Sequence, residues 1–424
     1  MQNETQPKLP LLYQYAVRKA KRNLSWATFF MAYPFWTIIQ NVSFFYMLFF
    51  YQKSFKLPHK MLEVRGAMAF GSILFMIGAI TSTIGAGINL GYEYFELAIK
   101  VLPNYLYWGF LVLTLGNLAL KTVQLDQIYK MIFYGLVASC LSFFLLKPIL
   151  EGLPFFRNVT QNNFAFILIS FGPMGVYYVQ LKWRNGFYTI LAILGISFCG
   201  IISGSRSGSL LVFLGCALAV SIESWLKIMI LAFLGFVLYL ITPQLLSSPS
   251  IKMEIYNLNE RTYDLLYETD ATLATDRSFL TRLAMIEKGL NIFEEYPIAG
   301  IGIGNFSSKS FDIDFEFEGS EYIEGKEEQL ESKTNPHNSY ISFLSEGGLV
   351  LFIPAIFLMF YPIGFFITHY NKLSGTEKAL FIGVLFMCIH AWFIAGMINV
   401  YGWFLLGITN ALIQSKNDSR ILLP

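Results

Sequence analysis

The feature that most limits the fold of this chain is a series of apolar runs, each about long enough to cross a membrane. A helix needs about 20 apolar residues to span the hydrocarbon core of a bilayer. Only 14% of the residues are charged, whereas soluble proteins contain about 25%. The chain is therefore expected to be an all-α polytopic membrane protein. The predicted spans lie near residues 66–88, 104–120, 128–147, 164–180, 187–204, 208–222, 226–242, 347–368, 378–396 and 398–414.

The basic residues predict how these spans cross the membrane, because short cytoplasmic loops carry an excess of Lys and Arg. An additional apolar block, 24–50, is long for one helix and short for two. Both the N-terminus and the connection after this block are basic, so we interpret the block as a hairpin of two short passes. The prediction is about twelve transmembrane helices with both ends in the cytoplasm. The basic residues on either side of the block are Lys8, Arg18, Lys19, Lys21, Arg22, Lys53, Lys56, Lys60 and Arg65.

This topology divides the chain into three regions. Residues 1–242 form an N-terminal transmembrane region of about nine helices, residues 243–338 a large external, periplasmic loop that is partly helical, and residues 339–424 three more helices with a cytoplasmic tail. The external loop contains 18 acidic and 8 basic residues. Its most acidic part, 312–331, is interpreted as a solvated loop. The formal net charge of +2 gives no reason to expect a nucleic-acid partner.

Cysteines and histidines do not predict a metal site, and no cofactor is expected. The cysteines all lie in apolar runs without paired CxxC spacing, and the histidines lack the spacing of zinc ligands. His390 lies inside a predicted span and is interpreted as a packed or hydrogen-bonded core residue, whereas His59 and His369 fall in inner loops. Neither a nucleophile elbow nor a phosphate-binding P-loop is present. The four cysteines are Cys140, Cys199, Cys216 and Cys388.

Arg206 lies in a short outer turn, Gly204-Ser205-Arg206-Ser207-Gly208, between two apolar runs. An arginine held at membrane depth is costly and normally has a reason to be there, so Arg206 has either a functional or an interfacial role. Its planar guanidinium is suited to bind phosphate oxygens in pairs. The alternative is an arginine that extends to the lipid headgroups.

An amphipathic helix is predicted over Asp276–Glu295 of the external loop, because apolar residues recur there at spacings of three and four. Arg282 borders this apolar stripe and is the better candidate for binding an anionic substrate, with Arg277 as a further candidate. A salt bridge to a local carboxylate is the alternative for Arg282. The predicted apolar stripe comprises Phe279, Leu283, Ile286, Leu290 and Phe293.

Two further motifs follow this helix. Gly300, Gly302 and Gly304, followed by Asn305, are typical of a tight turn and lack the context of a dinucleotide-binding fingerprint. In the second motif, Asn335 is predicted to cap a helix that begins at Pro336, which places His337 in the first turn beside Asn338. A helix N-terminus disfavours the imidazolium form, and a neutral imidazole is suited to act as a general base. A capping or hydrogen-bonded surface histidine is the alternative.

The order of these motifs over Gly200–Leu349 resembles the bacterial O-antigen ligase and O-antigen polymerase superfamily. The residues that carry the resemblance are Ser205-Arg206-Ser207-Gly208, the Arg282 helix, Pro297 to Phe306, and Pro336-His337-Asn338 continuing through Glu346-Gly347-Gly348-Leu349. The resemblance implies a GT-C-like membrane glycosyltransferase in the bacterial inner membrane, with its active site facing the periplasm.

It also implies an inverting, metal-independent transfer of a glycan from undecaprenyl diphosphate to a sugar hydroxyl. Arg206 and Arg282 would hold the diphosphate, and His337 would be the general base. The leading hypothesis is an O-antigen ligase of lipopolysaccharide biosynthesis, with lipid A-core as acceptor. A repeat-unit polymerase, whose acceptor is another lipid-linked glycan, uses the same donor and motifs. More distant alternatives are a transporter of lipid-linked glycans, although no inverted repeats are visible, and a structural protein.

Overall fold

The structure is a computed structural model that describes residues 27–33, 64, 66–117, 122–146, 161–203, 205–223, 252–253, 277–308, 336–395, 397 and 399–421. Several predictions fall outside these residues: most of the 24–50 hairpin, the span at 226–242, the acidic stretch 312–331, His59 and the cap at Asn335. The side chains of Arg206 and Arg277 also lie outside the described part, although their backbones do not.

Ten α-helices make up almost all of the described chain, and no strand occurs in it. They are α1 (Gly66–Leu90), α2 (Tyr92–Gly116), α3 (Thr122–Leu141), α4 (Gln161–Trp183), α5 (Gly186–Ile202), α6 (Arg206–Ser221), α7 (Arg277–Glu295), α8 (Ser339–His369), α9 (Gly375–His390) and α10 (Val400–Ile421). A π-helical turn, Ser142–Leu146, extends α3. The all-helical prediction is confirmed over the described residues.

Five candidate spans, on α1, α2, α3, α4 and α8, are long and apolar enough to cross a membrane; α5 and α6 contain shorter apolar segments. This agrees with a multi-pass membrane protein, while the total of twelve helices stays a prediction. The largest difference from the predicted spans is in α2, which begins at Tyr92 and not near residue 104. Only Gly91, at φ 101°, separates α2 from α1. The segment between the first two predicted spans, residues 89–103, is therefore helical apart from Gly91.

Helix α4 is the centre of the bundle and packs against α3, α5, α6 and α9. It is buried along nearly its whole length, as expected for a helix that is apolar on all sides. At its N-terminal end, Phe164 stacks on Phe143 after α3, with 4.2 Å between ring centroids. Asn163 accepts a hydrogen bond of 3.1 Å from the Asn399 side chain before α10. The ends that the topology predicts to be external therefore meet at one end of the bundle, which we call the site end.

The opposite end of the bundle carries a buried acid and several lysines. Ser374 and Glu377 form a reciprocal capping box at the start of α9, which satisfies free amide groups at the helix N-terminus. Lys416 of α10 forms a 2.9 Å ion pair with the buried Glu377 carboxylate. Lys182, at the end of α4, is exposed here too. This distribution is the one expected of a cytoplasmic face.

Beneath the site end, aromatic side chains from three helices form the core. Trp403 of α10 packs 4.5 Å from Phe75 of α1 and stacks at 5.7 Å on Trp108 of α2, measured between ring centroids. The indole N–H of Trp403 donates to the Met397 carbonyl oxygen at 2.7 Å. All these rings are almost completely buried. They give the site a rigid base, because large aromatic groups dominate packing energy in such cores.

Helix α8 is broken near its start, where Gly348 adopts φ 57° and ψ −165°. The break exposes backbone groups that would otherwise bond within the helix. A loop after α7 uses them: the amides of Ile301 and Gly302 donate to the carbonyl oxygens of Ser345 and Glu346 at 3.1 and 2.9 Å. In return, the amides of Leu349 and Val350 donate to the carbonyl oxygens of Pro297 and Ile298 at 2.9 and 3.1 Å. Four backbone hydrogen bonds thus fix the loop after α7 to α8.

Replacing Gly348 by Ala is expected to destabilise the protein by about 2 kcal/mol or more, because the position requires a left-handed backbone. The new Cβ would also overlap the Ile298 carbonyl group. Gly364→Ala on the same helix is the control, since its Cβ would meet no atom within 4 Å. Thermal unfolding in detergent should show a lower Tm for the first variant and an unchanged or higher Tm for the second. Equal Tm values would contradict the proposed docking of the loop.

Candidate active site

The loop between α7 and residue 308 is shaped by three glycines. Gly300, Gly302 and Gly304 adopt φ angles of 65°, 91° and 82°, a region that other residues rarely occupy. A Cβ on Gly302 would lie 2.5 Å from the Ala86 side chain, and one on Gly304 would lie 2.8 Å from Val101. The alternating glycines therefore allow the loop to lie directly on α1 and α2.

Asn305 and Glu346 hold this loop from its two sides. The Asn305 side chain donates to the carbonyl oxygens of Tyr94 and Ile301, both at 2.9 Å. The buried Glu346 carboxylate accepts from the amide of Phe306 at 3.1 Å. The Ser82 hydroxyl donates to the Glu346 carbonyl oxygen at 2.8 Å. Sequence reasoning did not single out Glu346, although it lies in one of the motifs that carry the resemblance.

Helix α7 begins one residue after the predicted start and ends where predicted, but a different face of it is buried. Ala284, Met285 and Ile292 are fully buried, whereas Leu290 of the predicted apolar stripe is exposed. This face is buried because Gly289, which has no side chain, lets α7 pack closely against Ile341 of α8. Lys288 is buried on this face as well and lies 4.8 Å above the Phe306 ring. The stripe predicted from periodicity is therefore rotated away from the protein interior.

Arg282 is half-buried on α7. It precedes Gly289 by seven residues, which places the two on the same helix face about two turns apart. Since Gly289 contacts α8, Arg282 lies on the side of α7 that faces the start of that helix. Its charge also acts on the ring of His390, the last residue of α9. Arg282 is thus directed toward the site end of the bundle.

The predicted position of His337 in the first turn of a helix is wrong. Helix α8 begins at Ser339, and its cap is Asn338, whose side-chain oxygen accepts from the amides of Tyr340 and Ile341 at 2.9 and 3.2 Å. His337 precedes this cap in a left-handed conformation with φ 51°, so it cannot continue the helix. Left-handed backbone at a non-glycine residue is costly and clusters at functional sites. The half-buried His337 therefore lies on a strained turn.

Arg206 is the first residue of α6, directly after Ser205. Ser205 makes no side-chain capping bond to α6, so the first amide groups of this helix are not satisfied by that side chain. Such groups and the helix dipole favour a bound anion. The helix is seated against α4 at the site end, where a Cβ on Gly208 would lie 2.6 Å from the Ala165 side chain. The backbone of Arg206 therefore belongs to the same end of the bundle as Arg282 and His337.

No group of three or more His, Cys, Asp or Glu residues suited to hold a metal ion occurs among the described residues. A cavity of about 590 Å³ lies at the opposite end of the bundle, lined by Gln180, Arg184 and Glu223 among others. None of the predicted site residues lines it. Arg282 and His337 therefore lie away from this cavity.

Residues 189–356 match the family model described as O-antigen ligase.

The match confirms the resemblance to the O-antigen ligase and polymerase superfamily. It extends from α5 into the middle of α8, so it includes Arg206, Arg282, His337, the glycine loop and Glu346. A comparison with curated proteins finds no match. The segment matched to O-antigen ligase is thus the part of the chain in which the loop docks on the broken helix.

The segment that matches the family model offers a direct test of loop docking at Glu346. Glu346→Ala removes the acceptor of the buried Phe306 amide, and an unpaired buried group costs about 1–3 kcal/mol. We expect a lower Tm and a loss of any glycan-transfer activity together, because the loop would no longer be held on α8. Glu294→Ala, which removes an exposed carboxylate of α7, should leave both quantities unchanged. A Glu346→Ala protein with normal Tm and activity would contradict this role.

Proposed function

We propose that the protein is an inverting membrane glycosyltransferase that moves a glycan from undecaprenyl diphosphate to a sugar hydroxyl. The most specific form of the proposal is an O-antigen ligase, with lipid A-core as the acceptor. The family match over residues 189–356 carries this proposal. The convergence of the α6 start, α7 and the α8 start at one end of the bundle supports it.

In the proposed reaction, the acceptor oxygen attacks the anomeric carbon of the donor glycan. The bond from that carbon to the phosphate oxygen breaks, and undecaprenyl diphosphate leaves with the bonding electrons. Arg206 and Arg282 bind the diphosphate and stabilise the negative charge that grows on it, with Arg277 as a further candidate. Fixed cations and amides of this kind contribute about 3 kcal/mol each when they are well placed.

His337 takes the proton from the acceptor hydroxyl as the new bond forms. General base catalysis contributes about 10²- to 10⁴-fold to the rate. The left-handed turn supports this role, because it separates His337 from the helix that Asn338 caps. The imidazole ring of His337 can then be positioned by the turn before α8 and not by the helix backbone.

The face next to the site suits a lipid-linked donor. Ile298, Leu349 and Ile353 are all exposed, and Ile298 lies beside Leu349 through the backbone pairing of the loop with α8. Leu349 and Ile353 are four residues apart and share a side of α8. In a membrane this apolar face allows the polyprenyl chain to stay in lipid while its diphosphate meets the cations.

The test is a transfer assay with purified protein, an undecaprenyl-diphosphate-linked glycan and lipid A-core. Arg206→Ala, Arg282→Ala and His337→Ala should each lower the rate about 10²-fold or more. Lys182→Ala is the control, because Lys182 lies exposed at the opposite end of α4, about 30 Å away along the helix. Full transfer in all three variants would refute the site.

A second reaction replaces lipid A-core with another molecule of the lipid-linked glycan. Longer glycans on the carrier would identify a polymerase, and glycan joined only to lipid A-core would identify a ligase. Movement of the donor across vesicle membranes without any transfer would favour a transporter over both.

A further inference from the structure

His390 has an unusual position for a histidine. It is the last residue of α9 and is fully buried. Among the described residues, neither ring nitrogen has a hydrogen-bonding partner. The sequence interpretation of His390 as a core residue accounts for its packing but not for these two nitrogens. Buried polar atoms in native proteins nearly always have a partner, so such exceptions call for an explanation.

Asn338 shows the same pattern on the neighbouring chain segment. Its side-chain oxygen caps α8, but its side-chain nitrogen is buried without a hydrogen-bonding partner in the described part of the protein. The Ser339 amide donates to the Ala391 carbonyl oxygen at 2.9 Å. Asn338 and His390 are each one residue from this hydrogen bond. Two unsatisfied polar side chains therefore lie on either side of one contact between α8 and the end of α9.

This contact is connected to Arg282 of the proposed site. Arg282 is close enough for its charge to act on the His390 ring. On the other side, the ring packs at 6.2 Å from Phe166 of α4, measured between ring centroids. Phe166 follows Ala165, against which the start of α6 is seated. His390 is outside the segment 189–356 that matches the family model, so nothing in that match gives it a role.

The chemistry of the two side chains indicates what they bind. A neutral imidazole has one N–H donor, and a primary amide has two. The charge of Arg282, which acts on the ring, disfavours a second positive charge there and attracts an anion. Donors without charge, placed beside a cation, suit the oxygens of a phosphate group.

We propose that the His390 ring and the Asn338 side-chain amide donate hydrogen bonds to phosphate oxygens of a polyprenyl diphosphate held beside Arg282. This inference rests on the proposed function for the identity of the donor lipid. It adds two neutral donors, one of them from α9, to the charged groups of the site.

The experiment measures the binding of farnesyl diphosphate, a soluble polyprenyl diphosphate, to the purified full-length protein by calorimetry. His390→Phe fills the same space without polar atoms. It should raise Kd about tenfold or more, since a hydrogen bond to a charged group is lost. Its Tm should be equal to or above that of the wild type, because no protein partner is removed. His390→Gln keeps an N–H donor and should bind better than His390→Phe.

Asn338→Asp tests the second donor without removing the helix cap. Aspartate caps helices as well as asparagine does, so Tm should be kept. The carboxylate replaces an N–H donor and repels the diphosphate, so Kd should rise at least tenfold. His369→Phe is the control for both variants, because His369 also stacks on a phenylalanine but lies half-buried at the other end of α8. It should bind farnesyl diphosphate as the wild type does.

Wild-type affinity in His390→Phe and Asn338→Asp would overturn the proposal, and so would a wild-type protein that does not bind farnesyl diphosphate. A large fall in Tm for His390→Phe, with binding not improved in His390→Gln, would show a structural role and would also overturn it. The assay does not depend on glycan transfer. If the wild type binds the diphosphate but transfers no glycan, the proposed function fails while the comparison of Kd values still decides the role of His390.

Discussion

The arrangement of the site depends on the four backbone hydrogen bonds between residues 297–302 and the break in α8. A helix normally uses its own amides and carbonyl groups, so an external loop cannot pair with it unless the helix is interrupted. Gly348 provides the interruption, and the alternating glycines allow the loop to approach. Because α7 leads directly into this loop, the same bonds determine where Arg282 lies. One set of backbone contacts thus connects α7 and the loop after it to the helical bundle.

The second requirement is that polar and charged groups be collected at one end of an apolar bundle. Three separate helix ends do this: the start of α6, the start of α8 and the end of α9. Each is a place where backbone groups are left without helical partners, and each is therefore suited to polar chemistry. Arg206 and His337 are supplied by two of these ends, and His390 by the third. The aromatic core beneath them, centred on Trp403, keeps the ends in a fixed relation.

The sequence predicted the helices well because apolar length and the period of 3.6 are local properties; α7 and α4 lie close to where they were expected. It was wrong where the outcome depends on tertiary contacts. The buried face of α7 is set by Gly289 against Ile341, which no periodicity reveals. The start of α8 was placed too early because Asn335-Pro336 and Asn338 are both acceptable starts. His390 could not be recognised, since only the fold shows that its ring nitrogens lack partners.

The central claim is that a lipid-linked diphosphate binds where the docked loop meets the starts of α6 and α8. Determining the structure of the protein in lipid nanodiscs with bound undecaprenyl diphosphate by electron cryomicroscopy would test it most directly. The account predicts density for the diphosphate between Arg206 and Arg282, within hydrogen-bonding distance of His390. Diphosphate density at the opposite end of the bundle, in the cavity beside Arg184, would contradict it.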